Sequence, residues 1–109
     1  VSAVAGLFDR LEAALTAAVA AGEVGVARSL RLHVGGVAAG LPTPDRLLAL
    51  GDRLFACPRQ REMRAGDAVL CVWAEGQVAT LSVAPAPRPV VVLTLLGSAG
   101  ALHLREPGP

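Results

Sequence analysis

The sequence predicts an α+β domain: a single, mainly antiparallel sheet with helices packed on its faces, in the order helix, hairpin, helix, three-strand meander and short terminal element. Three observations lead there. Apolar residues recur at helical spacing over roughly the first twenty positions. Thr43-Pro44-Asp45 opens a second amphipathic stretch. From Ala68 onward, strand-sized apolar segments alternate with turn residues.

The first helix is expected from a Ser2 cap to about Ala21, with Val4, Leu7, Phe8, Leu11, Leu15, Ala18 and Val19 on one stripe and Asp9, Arg10, Glu12 and Thr16 facing away. Gly22 and Gly25 end it. Ser29 to Val34 then alternates polar and apolar, the period of a half-buried strand. Gly35-Gly36 suits a two-residue hairpin turn, with Val37-Ala38-Ala39 as a short return strand.

The second helix has three start signals: Thr43 as N-cap, Pro44 at the first helical position and Asp45 in the first turn. Its body repeats Asp-Arg at 45–46 and 52–53, and Leu47/Leu48 return as Leu54/Phe55. Pro58 stops it. Arg59 to Gly66 reads as a polar connection. The segments Ala68–Glu75 and Gln77–Ala84 form a hairpin about Gly76, and Pro85–Pro89 is a stiff connector that cannot donate ladder bonds. Val90–Leu96 is a nearly continuous apolar run, which suits a central strand covered on both faces. Ala101–Arg105 is either a further strand or one helical turn capped by Ser98, and residues 106–109 are a tail.

At 109 residues the chain has the length of one domain, 1–109, with one hydrophobic core. An apolar fraction of 53% against 17% charged excludes intrinsic disorder. No run approaches the roughly 18 apolar residues of a membrane span, and Asp9, Arg10 and Glu12 sit where a leader would need apolar residues. Two cysteines make no disulfide framework. The expectation is therefore a cytoplasmic protein without a membrane partner. Lys, Asn, Ile and Tyr are absent and every basic residue is Arg, a bias that GC-rich coding explains. A net charge of +1 supplies no global field for nucleic acid.

No residue pattern announces catalysis. Cys57 lies at a helix C-terminus, where the dipole disfavours a thiolate. In the stretch after it Met63 stands where a phosphatase loop needs Arg, and Arg64 is one position too far. Cys57 thus reads as a structural thiol, and Cys71 as a core residue. His33 and His103 each alternate with leucines and valine, which places them on the solvent side of edge elements without metal-ligand spacing. Asp9, Glu12, Asp45 and Asp52 read as solvated helix faces. There is no Gly-x-Gly-x-x-Gly and no P-loop. Neither a cofactor nor a metal is expected.

Arg59, Arg61 and Arg64 form a small basic surface without aromatic neighbours for base stacking. Two features ask for close packing. Gly51 in mid-helix costs about 1 kcal/mol against Ala, which a crossing helix would offset. The strand around Trp73 is apolar on both sides, with Val69, Cys71 and Trp73 on one and Leu70, Val72 and Ala74 on the other. Helices on opposite faces, or a subunit interface, would cover it.

The element order, with Gly35-Gly36 at the first turn, Asp67–Val83 as a long hairpin and Leu95–Leu102 as a last strand running into a short closing helix, resembles the Roadblock/LC7 family. The feeble strand at 37–39 and the proline-rich connector at 85–89 depart from that pattern. The resemblance implies a non-enzymatic homodimer that acts as a scaffold or regulator of a small Ras-like GTPase in a bacterium. It also implies an interface formed by Leu47, Gly51, Leu54 and Trp73. The expected function is accordingly a protein-interaction module whose partners are a second copy and a small GTPase. The alternatives are a small nucleic-acid-binding domain using Arg59, Arg61 and Arg64, or a domain with a purely structural role.

Overall fold

In the computed structural model, which describes residues 3–36 and 44–106, the apolar stripe of the first segment forms helix α1, Ala3–Ala20. Leu7, Phe8, Leu11, Leu15 and Ala18 are buried along it. Gly22 takes φ +78° and its N–H bonds the Val19 carbonyl at 3.0 Å, a left-handed glycine ending as anticipated. Helix α2 runs from Pro44 to Phe55 and buries Leu47, Leu48, Leu50, Gly51 and Phe55. Ala56 closes it at φ +52°, a left-handed position without the glycine that usually fills it. The proposed caps Ser2 and Thr43 and the return strand Val37–Ala39 lie outside the described residues.

Among the described residues six strands form one sheet: β1 Ala27–Gly35, β2 Arg59–Ala65, β3 Ala68–Trp73, β4 Val78–Ala84, β5 Val90–Gly97 and β6 Ala101–Glu106. Their spatial order is β2-β3-β4-β1-β5-β6. β1 pairs parallel with β4 and antiparallel with β5; the β2–β3, β3–β4 and β5–β6 pairs are antiparallel. The result is the α+β, mainly antiparallel architecture that the sequence predicts.

Three local expectations change, and one open alternative is decided. Arg59 to Gly66 is not a connection: Arg59–Ala65 is an edge strand, turned into β3 through Gly66 at φ +60° and Asp67. It lacks apolar alternation because every residue in it is exposed and charge serves both of its sides. Ala101–Glu106 is a strand, paired with β5 throughout. Gly35-Gly36 does not turn β1 back on itself. The connector at 85–89 passes over that end of β1 instead, and a Cβ on Gly36 would stand 2.9 Å from Pro89 Cα. Finally, β5 is an interior strand covered, among the described residues, on one face only, with Val91, Leu93 and Leu95 buried and Leu96 51% exposed.

Both helices lie on the same side of the sheet. α1 packs on β5 and β6, and α2 on β1, β3 and β4. The core is the layer between, where Leu30, Leu32, Val34, Trp73, Leu93 and Leu95 meet Phe8, Leu15, Leu47 and Leu48. Arg46 joins the helices by pairing with Asp9 and lying 4.8 Å above the Phe8 ring. Among the described residues, no element covers the opposite face of the sheet.

Candidate functional site on the open sheet face

Strand alternation sends every second residue away from the helices, and the register shows which of them meet. Arg31 on β1 sits between Thr80 of β4 and Thr94 of β5, and Thr94 faces His103 of β6. One row along, His33 sits between Ser82 and Val92, and Val92 faces Arg105. These side chains line a shallow recess of about 460 Å³ formed by Arg31, His33, Thr80, Ser82, Val92, Thr94 and His103. His33 Nδ1 lies 2.8 Å from Ser82 Oγ, and His103 Nδ1 lies 2.9 Å from Thr94 Oγ1. Each histidine is thus oriented by a hydroxyl on a neighbouring strand, leaving its Nε2 edge for a ligand. Arg31, in the same row as His103 and next to His33 along β1, has no carboxylate partner among the described residues.

The alternation puts both histidines on the solvent side, but His33 stands on β1, at the heart of the sheet and not at an edge. Their convergence was hidden because it depends on β5 lying between β1 and β6. The available signal was the pair of short polar alternations, Arg31/His33 and His103/Arg105.

The basic cluster on Arg59, Arg61 and Arg64 does not form a surface. Arg59 grips Asp52 with two hydrogen bonds, at 3.0 and 2.7 Å. Arg64 bonds Glu62 and reaches Asp45 at 3.0 Å. Arg61 pairs with Val72 and so projects from the other side of the sheet. Two of the three charges are neutralised, and the third points away.

Leu47, Gly51, Leu54 and Trp73 are also placed differently from the expectation. Leu47 and Trp73 are fully buried and Gly51 is buried inside the chain's own core; Leu54 packs against its margin. What approaches Gly51 is the Trp73 ring, whose Cη2 and Cζ2 would stand 2.6 Å from an added Cβ. This contact is intramolecular.

Neither thiol is poised for attack. Cys57 is half-buried and its Sγ lies 3.5 Å from Gln77 Oε1. Cys71 is enclosed in the core, and burial pushes its thiol pKa up. Among the described residues no three His, Cys, Asp or Glu side chains gather as a metal-binding group, and no helix is long and apolar enough to cross a membrane.

No family model matches the sequence, and a search of curated proteins returns no significant match. Solved structures do resemble the fold. GenD2 from gentamicin A biosynthesis, in complex with NAD, superposes with a TM-score of 0.61 at 14% identity over 86% of this chain and 36% of GenD2. A putative myo-inositol dehydrogenase from Sinorhizobium meliloti 1021 gives 0.53 at 13% identity over 84% of this chain and 37% of that enzyme. The chain thus spans little more than a third of either protein. These likenesses overturn the expectation of a non-enzymatic interaction module regulating a GTPase; what the two structures share with this chain is the fold.

Proposed function

We propose that this chain is the sheet-forming, substrate-side domain of an oxidoreductase related to the nicotinamide-dependent dehydrogenases, with the open sheet face as its ligand surface. The observation that carries the reading is the recess around Arg31, His33, Thr80, Ser82, Thr94 and His103. It gathers hydrogen-bonding groups from four adjacent strands on a rigid support, the arrangement a hydroxyl-rich substrate requires. The reaction class is supported by the similar solved structures, one in complex with NAD and one a putative dehydrogenase.

NAD itself does not fit the residues of this chain. A dinucleotide site needs a glycine-rich turn between strand and helix to bring backbone amides to the pyrophosphate, and the sequence has no Gly-x-Gly-x-x-Gly. Cofactor binding therefore belongs to another unit of the enzyme. This chain's part is to bind and orient substrate, through Ser82-held His33 and Thr94-held His103.

Two-dimensional NMR of the isotopically labelled chain tests this, with myo-inositol, D-gluconate and NAD as separate probes. The two polyols should shift His33, Thr80, Thr94 and His103 signals, and NAD should shift none. Binding of NAD, or polyol-induced shifts confined to the helix layer, would overturn the assignment.

A further inference from the structure

The charges of this chain are sorted between the two sides of its sheet. It has nine carboxylates. Asp9, Glu12, Asp45 and Asp52 belong to the helices, and Glu23, Asp67 and Glu75 to connections. Glu62 pairs with Cys71 and Glu106 with Val91, both core-facing, so these two point to the helix side as well. Among the described residues, no strand position on the open face carries an acid. The same face carries Arg31, Arg61 and Arg105 together with both histidines. On the helix side, in contrast, Arg10, Arg46, Arg53, Arg59 and Arg64 all contact carboxylates. A net charge of +1 therefore conceals one balanced side and one wholly basic side.

We propose that the open face is an anion-recognition site centred on Arg31, which takes a small polyhydroxylated molecule bearing a carboxylate or a phosphate. This rests on the substrate-side reading above and deepens it. The guanidinium offers a planar fork matched to either group. His33, two residues along β1, and His103, beyond Thr94 in the same row, offer ring edges suited to the ligand's hydroxyls. Thr80 and Thr94 stand beside Arg31 in the register and supply further hydroxyl partners. A second copy applied face to face would oppose its own basic rows to these, which like-charge repulsion disfavours.

The test titrates the labelled chain with inorganic phosphate, D-gluconate and myo-inositol, reading the Arg31 side-chain Nε–H and the His33 and His103 ring signals. Gluconate should bind more tightly than neutral inositol, and phosphate alone should move the Arg31 signal. Arg31→Gln should weaken gluconate at least about tenfold, the loss expected for a charge-assisted hydrogen bond, and weaken neutral inositol much less. Arg31→Lys should recover part of the loss. Arg31 is exposed, and an unchanged melting curve verifies that the variants fold. If inositol matches gluconate and Arg31→Gln affects neither, the anion assignment fails while the substrate-side reading stands. If phosphate moves Arg31 but neither polyol touches the histidines, the anion site stands and that reading fails. Silence at the face with all three probes removes both.

Discussion

Trp73 and Asp52 tie the sheet to its second helix: the indole Nε1–H donates to Asp52 Oδ1 at 2.9 Å, from a ring otherwise enclosed by the core. Arg59 closes on the same carboxylate from β2, so three elements meet on one side chain. Phe55 stands edge-on to the indole with centroids 4.8 Å apart, which fixes the ring from a second direction.

A pH dependence follows. The hydrogen bond from Arg59, and to a smaller extent that from Trp73, holds the Asp52 carboxyl below its ordinary value against an opposing effect of burial. Such a group stabilises the fold above the unfolded carboxyl value of about 3.9, and the stabilisation fades as pH falls through the lower folded value. Asp52→Asn keeps an acceptor for Trp73 and removes the charge. Because the side chain is 42% exposed, solvent screening limits the loss at pH 7 to about 1 kcal/mol. Urea unfolding at descending pH should show parent and variant converging in acid; a gap independent of pH would mean that the ion pair contributes nothing.

Gly51→Ala should destabilise the fold by up to about 2 kcal/mol. Helix propensity favours alanine by about 1 kcal/mol, but the new methyl would meet the Trp73 ring at 2.6 Å. That ring, held by Asp52 and Phe55, has nowhere to go, and overpacking of this kind costs about 1–3 kcal/mol. A variant that melts higher than the parent would show that the indole yields.

Gly36→Ala should cost more, about 2 kcal/mol or above. Its φ of +114° is one that side chains rarely adopt, and the Cβ would press on Pro89 Cα and the Arg88 carbonyl oxygen at 2.9 and 3.1 Å. Both are backbone atoms of the stiff connector. Equilibrium unfolding measures the loss, and a neutral result would mean that the connector shifts away freely.

The two cysteines should separate by reactivity. A thiol reagent added to the native protein should modify Cys57, which is partly accessible, and spare Cys71, which is fully buried. Both should react once denaturant is added. Native-state labelling of Cys71 would show that β3 opens locally.

Much of the fold was legible because local pattern and burial agree. The stripe of α1, the Pro44-Asp45 entry of α2 and the segments that became β3, β4 and β5 all announce themselves. β2 did not, since an exposed edge strand needs no apolar alternation and two of its three arginines, Arg59 and Arg64, satisfy themselves on Asp52, Glu62 and Asp45. Gly51 and Trp73 each signalled tight packing, yet only the fold shows that they pack on one another. The candidate site was the least legible part. Arg31, His33 and His103 were visible as alternating polar residues, but strand order, which leaves no local trace, makes them neighbours.

That strand order also sets a timetable. β1 is the hub of the sheet, yet its neighbours arrive late: His33 and its partner Ser82 are 49 positions apart, and β5 follows later still. Nothing local rewards β1 for extending. Loop-closure entropy must be spent before the central ladder forms, which is the condition for slow folding. During synthesis from the N-terminus, the two helices and the β2–β3 hairpin can take shape while β1 waits without a ladder partner. The parallel β1–β4 register is then the step that commits the whole domain.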